Sequence, residues 1–221
     1  MIKLFGENDR DFTGNGDVVI TPLKAKIHKE DNGAFYLELE TDLSYSDYLI
    51  ENNILIAPTP QGEQAFRVGN VQKTGRKIST RAYHVFYDSR NYLIEDKYVY
   101  QKNCNDALVY LNSSTSDPSP FTVSSDVATV KNFRCVRNSL CEAVNTICER
   151  WGGHIVRDNW NLAILETIGQ DNGETVRYAK NLKEISSEEN WDGVVTKLLP
   201  VGKDGVLLNA LDQMVNLLMD S

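Results

Sequence analysis

Residues 63–94, EQAFRVGNVQKTGRKISTRAYHVFYDSRNYLI, decide the fold of this chain. An apolar run around Phe66 leads to the polar break 73–76, which contains Gly75, and a second run then alternates residue by residue. Two such runs about a short glycine-containing break predict a β-hairpin. One face of the second run holds Ile78, Thr80, Ala82 and His84, and the other holds Ser79, Arg81, Tyr83 and Val85. An aromatic patch with a predicted turn follows at Phe86, Tyr87, Asp88, Asn91 and Tyr92.

The same period-two alternation predicts further strands toward the N terminus. Residues 18–27 alternate with one interruption at Pro22, which favours an edge strand or a bulge. Residues 29–33 end in Asn-Gly and predict a hairpin turn, after which residues 34–43 alternate again and residues 54–57 form an apolar strand. Residues 1–16 are interpreted as a polar lead-in. We therefore expect residues 1–95 to form a β-barrel-like domain.

The pattern changes near Asp96, where helical spacing appears for the first time. A short helix that carries Ala107, Leu108 and Leu111 is predicted after a cap at Asn103 or Asn105. A second helix is predicted from the capping pair Ser139 and Glu142 to Trp151, because its apolar residues recur at three- and four-residue spacing. Strands at 154–156 and 162–168 follow. Residues 96–169 are thus predicted to form a small α/β domain, so that the whole chain is a β-rich α+β protein.

Residues 170–221 return to strand patterns. Strands are predicted at residues 175–178 and 194–199, and an amphipathic helix at residues 207–219. We expect these segments to belong to a second barrel domain, complete or incomplete, with a C-terminal helix.

Charge and composition exclude several function classes. The 221 residues carry a formal net charge of −8, which disfavours binding to nucleic acid phosphates. No apolar run approaches the ~20 residues that span a bilayer, and the first residues lack the core of a signal peptide. We therefore expect a protein made in the cytoplasm, with no membrane span and no specific nucleic acid partner.

The cysteines and histidines do not form a recognised site. The cysteines lie at 104, 135, 141 and 148 without a C-x-x-C pair, and the histidines at 28, 84 and 154 without metal-ligand spacing. Reduced, buried thiols and ordinary sheet-face histidines are the preferred interpretation. A nucleophilic pair of Cys135 or Cys141 with His84 or His154 is the alternative.

The remaining candidates are carboxylates and tryptophans. Glu38 and Glu40 share the outer face of a strand, where solvation is favoured over acid–base chemistry. Trp151 and Trp160 flank a predicted hairpin and could form a sugar platform, although core packing is favoured for Trp151. No catalytic, cofactor-binding or metal site is predicted.

A set of ordered sequence blocks resembles a known family. The blocks are QAFRV (64–68), AYHVFYD (82–88), NFRCVR (132–137), RWGG (150–153), RDNW (157–160), VRYAKNL (176–182) and VTKLLPVG (195–202). Together they resemble the N-terminal region of the phage minor structural tail proteins, also called the prophage endopeptidase tail family, from phages of Gram-positive bacteria. Chains of that family continue well beyond the last block, so the resemblance also leads us to ask whether the second barrel is complete by Ser221.

The resemblance implies a baseplate hub fold and a structural role. Members of the family form the hub that caps the tail tube at the tail tip and connects it to host-recognition or cell-wall-degrading modules. The implied assembly is a homotrimer that contacts the distal tail protein, the tail tube and the tape-measure protein in the virion. Despite the family label, no enzymatic activity and no cofactor are expected from this chain.

Two other function classes stay open at this point. One is a peptidase or muralytic tail-associated lysin, which would need one of the thiol or carboxylate candidates. The other is a carbohydrate-binding module that uses Trp160 and nearby tyrosines.

Overall fold

A computed structural model describes residues 1–169, 173 and 175, and these residues form three β-sheets and two α-helices. The strands are β1 (Ile2–Phe5), β2 (Val18–Ile20), β3 (Lys24–Lys29), β4 (Phe35–Asp42), β5 (Ile54–Thr59), β6 (Gly62–Thr74), β7 (Lys77–His84), β8 (Leu93–Lys102), β9 (Thr122–Ser125), β10 (Lys131–Ser139), β11 (His154–Asp158) and β12 (Asn161–Leu165). The helices are α1 (Cys104–Asn112) and α2 (Leu140–Trp151).

The largest sheet has seven antiparallel strands in the order β2-β1-β5-β6-β7-β4-β3. It curls into a half barrel, and its end strands β2 and β3 are not paired with each other. The expected barrel-like character is thus confirmed at this coarse level. The single alternating stretch predicted at residues 18–27 is divided at Pro22 into β2 and β3, which lie at opposite ends of the sheet. Both are edge strands, the position that a nearby proline favours because it cannot donate to a ladder.

The hairpin of β6 and β7 is confirmed. Its two-residue turn is Gly75-Arg76, and Gly75 has a φ of 61°, a left-handed conformation that glycine adopts without steric cost. On β7 the alternate residues Ile78, Thr80, Ala82 and His84 are buried. The pairing shifts register between Val68 and Val71, so β6 contains a bulge at Gly69 and Asn70. The predicted turn at Asp88 and Asn91 is instead part of a 3-10 helix, Val85–Asn91.

The lead-in prediction for residues 1–16 was wrong in part. Residues Ile2–Phe5 form β1, which lies between β2 and β5, and Leu4 is fully buried. A four-residue strand is too short to show an alternating pattern, and its partners come from residues 18–20 and 54–56. Only the tertiary structure therefore identifies this strand.

A long two-stranded sheet was also missed. Strands β8 and β10 pair over most of their length, and their inner side chains, including Ile94, Val99 and Phe133, are buried. Gln101 and Arg137 have φ angles of 46° and 48°, which interrupt the extended backbone. Between the buried residues Ile94 and Val99 strand β8 does not alternate regularly, and the sequence did not predict strands there.

The helices begin where their caps predict. The Asn103 side chain accepts a hydrogen bond from the Asp106 N–H, and Ser139 accepts one from the Glu142 N–H. Helix α2 ends at Gly152, whose φ is 86°. Strands β11 and β12 form the predicted hairpin, but β12 ends at Leu165 rather than Ile168 and also pairs in parallel with β9.

Two main apolar clusters stabilise the described part of the chain. One lies under the seven-stranded sheet around Phe35 and Phe66, and the other lies between the helices and the two smaller sheets around Leu108 and Ile147. Residues 1–169 nevertheless belong to one compact unit, so the boundary between residues 95 and 96 stays a prediction. Apart from Gly173 and Thr175, the predicted third domain, 170–221, lies outside the described residues. No helix among the described residues is both long and apolar enough to cross a bilayer.

Candidate functional site on the outer face of the sheet

The outer face of the seven-stranded sheet carries ordered rows of side chains across β3, β4 and β7. His28 pairs with Tyr36, and Tyr36 pairs with Tyr83 on the next strand. The His28 and Tyr36 rings stack with centroids 4.6 Å apart, and the Tyr36 and Tyr83 centroids are 6.0 Å apart. This aromatic row follows from the clear alternation of β4, which buries Phe35, Leu37 and Leu39 and turns the residues between them outward.

Ion pairs form the next rows of the same face. Glu38 Oε1 accepts a hydrogen bond from Arg81 Nη2 at 2.9 Å, and its other oxygen lies 3.4 Å from His28 Nε2. Glu40 accepts a hydrogen bond from Lys77 Nζ at 2.6 Å. The Arg81 guanidinium also lies 4.7 Å from the centroid of Tyr36. These cross-strand pairs hold the long side chains in place along the sheet surface.

The ionisation of Glu38 and Glu40 follows from these contacts. The hydrogen bond from Arg81 lowers the pKa of Glu38, and the hydrogen bond from Lys77 lowers the pKa of Glu40. Both carboxylates are therefore ionised at neutral pH and cannot act as general acids. Their arrangement suits hydrogen-bond acceptance from a ligand better than proton transfer.

A groove of about 540 Å³ opens on this face between the ion-paired rows and β6. It is lined mainly by polar side chains, among them Glu38, Asn70, Gln72, Ser79, Arg81 and Tyr83. The bulge in β6 contributes directly, because it places Asn70 at the groove. We call this feature the outer groove. The sequence predicted Glu38 on the outer face of its strand and put Arg81 and Tyr83 on one common face of theirs, but the groove itself depends on the bulge and on the strand order.

A buried network lies on the other side of the sheet. His84 Nδ1 accepts a hydrogen bond from the Phe86 N–H at 3.1 Å, so the proton of the neutral ring is on Nε2, which donates to Gln64 Oε1 at 3.0 Å. Gln64 Nε2 in turn donates to Asp158 Oδ1 at 2.8 Å. Burial, reinforced by the nearby charges of Arg157 and Lys29, lowers the pKa of His84 to about 3. His84 is therefore a neutral structural residue.

Two turn asparagines join the large sheet to the β11–β12 hairpin, and we call their contacts the asparagine bridges. Asn32 accepts from the Ile155 N–H at 2.7 Å and donates to the Gly153 carbonyl at 3.0 Å. Asn159 accepts from the Ala65 N–H at 2.8 Å and donates to the Glu63 carbonyl at 3.1 Å. Each side-chain amide thus imitates a neighbouring peptide group.

The histidine and cysteine candidates do not come together. His84 is committed to Gln64 and Phe86, and His154 Nδ1 contacts Asp31 Oδ2 at 2.7 Å. All four thiols are free and buried, and burial raises the pKa of each, to about 11 for Cys148. A protonated, buried thiol is a poor nucleophile. Within residues 1–169, no group of three or more His, Cys, Asp or Glu side chains is placed to hold a metal ion.

The two candidate tryptophans, Trp151 and Trp160, do not form an open platform for a sugar. Trp151 is buried, and its Nε1–H donates to the Lys102 carbonyl at 3.1 Å, so its predicted core role is confirmed. Trp160 is half-buried, with the Arg10 guanidinium 4.2 Å from its ring centroid and Phe121 at 5.4 Å. The Trp160 ring therefore has one face covered by a cation rather than open to a ligand.

Comparison with known proteins identifies the fold. No family model matches the chain, and no curated protein matches it. Among solved structures, the prophage tail protein gp18 from Listeria monocytogenes EGD-e aligns with a TM-score of 0.65 at 14% identity, over 83% of this chain and 56% of that one. Two further structures align more weakly. A tail protein from Neisseria meningitidis MC58 aligns with a TM-score of 0.47 at 11% identity, over 59% of this chain and 41% of that one. The 43 kDa tail protein of prophage MuSo2 from Shewanella oneidensis aligns with a TM-score of 0.45 at 11% identity, over 59% of this chain and 45% of that one. This chain, which spans little more than half of the Listeria protein, therefore has the fold of a prophage tail protein.

Proposed function

We propose that this protein is a structural component of a phage or prophage tail. The observation that carries the proposal is the fold shared with the Listeria tail protein over 83% of this chain. The proposal places the protein in the virion, at the tail tip, as a baseplate hub that caps the tail tube and connects it to host-recognition or cell-wall-degrading modules. The sequence blocks quoted above support this finer assignment.

The proposed assembly is a homotrimer that contacts the distal tail protein, the tail tube and the tape-measure protein. Within residues 1–169, the end strands β2 and β3 each pair on one side only, so their outer edges offer backbone groups for such contacts. The net charge of −8 favours protein partners over specific nucleic acid binding. No enzymatic activity is proposed for the described residues, and burial raises the pKa of the candidate thiols Cys135 and Cys141.

The location is tested with purified virions. We expect mass spectrometry of particles from the producing bacterium to detect this chain, and immunogold electron microscopy to place it at the end of the tail distal to the capsid. Absence of the chain from intact particles would refute a tail role. Labelling along the whole tube would refute the tip assignment while leaving a tail role intact.

The trimer is tested by light scattering coupled to size exclusion, with an expected mass of three times 24.9 kDa. At the end of the β3–β4 ladder the Glu30 N–H donates to the Ala34 carbonyl oxygen, and successive N–H groups of β3 alternate in direction. The Ala25 N–H therefore points away from β4, toward the outer edge of β3. We therefore expect Ala25→Pro to lower the trimer fraction without changing the circular dichroism spectrum. The matched variant Ala25→Val keeps the N–H and is expected to trimerise. Equal masses for both variants would exclude the β3 edge from the interface.

A further inference from the structure

The outer groove has a chemical character of its own that a tail-assembly role does not explain. Its side chains include two amides, Asn70 and Gln72, and the hydroxyl of Ser79, next to a carboxylate and a guanidinium. Amides donate and accept, hydroxyls do both, and the charged groups supply strong acceptors and donors. Such a mixture suits a ligand whose own groups each donate and accept hydrogen bonds.

The charges that line the outer groove cancel. Lys24 and Arg81 are matched by Glu38 and Glu40, and both carboxylates are held by direct contacts with Arg81 and Lys77. Electrostatic complementarity therefore favours neither an acidic nor a basic ligand. It favours an uncharged ligand that is rich in hydroxyl groups.

An aromatic wall completes the outer groove. Tyr83 is 44% exposed, and its ring packs against two others, Tyr36 with centroids 6.0 Å apart and Tyr87 with centroids 5.9 Å apart. An exposed, braced tyrosine ring offers an apolar face with a polar tip, and it loses little conformational freedom when a ligand binds. The carbon-bound hydrogens of a sugar ring match such a face, while its hydroxyls match the polar lining.

The backbone shapes the outer groove as well. Gly69 is required at the bulge, because a Cβ there would lie 2.8 Å from the Arg81 carbonyl oxygen. The Thr80 hydroxyl donates to the Asn70 carbonyl at 3.0 Å and fixes the bulged segment. Bulges often re-aim side chains at functional positions, and a volume of about 540 Å³ lies in the usual range of ligand sites.

From these observations we propose that the outer groove binds a neutral oligosaccharide, with one sugar ring against Tyr83 and its hydroxyls bonded to Gln72, Asn70, Glu38 and Arg81. The site is separate from Trp160, whose ring is covered by Arg10. The proposal does not depend on the tail role, because the groove is complete within one chain.

The test begins with an array of immobilised oligosaccharides that includes neutral members, among them chitotriose and maltotriose, and acidic members such as sialyllactose. We expect the full chain to retain at least one neutral oligosaccharide, and isothermal titration then measures its affinity. Tyr83→Ala is expected to weaken that affinity about 5- to 10-fold, as loss of one aromatic contact predicts. Gln72→Ala, at an exposed position that no core contact needs, is expected to weaken it as well.

Tyr98→Ala is the matched control, because Tyr98 is 54% exposed on a different sheet. It is expected to leave the affinity unchanged. Binding to no neutral oligosaccharide, binding only to acidic ones or to acidic peptides, or equal losses in the Tyr98 and Tyr83 variants would each overturn the proposal. Absence from virions would refute the tail role and a monomeric mass would refute the homotrimer, and neither result bears on sugar binding, so the failures are distinguishable.

Discussion

His84 makes the stability of this protein sensitive to mild acid. Its ring is fully buried, stacks on Phe35 with centroids 4.5 Å apart, and accepts the Phe86 N–H at Nδ1. A second proton on Nδ1 would face that N–H and would add a charge near Arg157 and Lys29. The folded protein therefore holds the ring neutral, with the pKa lowered from 6.5 to about 3.

The size of the effect follows from proton linkage. A folded-state pKa below the unfolded value means that the unfolded chain binds the proton first, so stability is complete above pH 6.5 and falls as the pH falls toward 3. At about pH 5 the histidine of the unfolded chain is roughly 97% protonated, whereas the folded ring is neutral. The free energy of unfolding is then expected to be about 2 kcal/mol lower than at about pH 7.5 on account of this residue alone.

Urea unfolding followed by circular dichroism at the two pH values measures this difference. The comparison is His84→Asn, which keeps an acceptor for the Phe86 N–H but does not titrate in this range. The variant is expected to be less stable at both pH values, because it loses the bond to Gln64 and the contact with Phe35. Its pH-dependent loss should nevertheless be smaller than that of the wild type by about 2 kcal/mol. The other titrating groups are present in both proteins and cancel, so equal losses would refute the buried neutral ring.

Three further predictions concern the bridges, a glycine and the thiols. Asn159→Ala should lower the free energy of unfolding by about 2–4 kcal/mol in urea titrations, because the buried Ala65 N–H loses its acceptor. A loss below about 0.5 kcal/mol would show that the asparagine bridges do not stabilise the fold. Gly16→Ala should abolish folding or lower the melting temperature far more than Gly75→Ala. A Cβ at Gly16 would lie 2.1 Å from the Leu4 carbonyl oxygen, whereas a Cβ at Gly75, which has a similar φ, would meet open space. Equal effects of the two substitutions would contradict the close approach of Gly16 to Leu4. The four thiols, including Cys148, should react with a disulfide reagent at about pH 8 far more slowly in the native protein than in urea, and fast labelling of any native thiol would contradict its burial.

Local sequence signals were sufficient to predict those elements whose physical cause lies within one short stretch of the chain. The turn Gly75-Arg76 lies between two alternating runs, so the β6–β7 hairpin was predictable. Helix α2 has its cap at Ser139 and its stop at Gly152, so both ends were predictable too. The outward placement of Glu38 followed from strand period alone.

The tertiary structure alone decided features whose partners are distant in sequence. Strand β1 is defined by its pairing with β2 and β5, and β8 pairs with β10 across the chain segment that contains α1 and β9. The outer groove needs a bulge at Gly69 and four neighbouring strands, which no single window of sequence contains. By itself the sequence determined the local period, the turns and the caps of this protein, because those depend on backbone sterics and nearby hydrogen bonds. Only the folded chain determined which surfaces meet, because burial and long-range pairing depend on all the elements together.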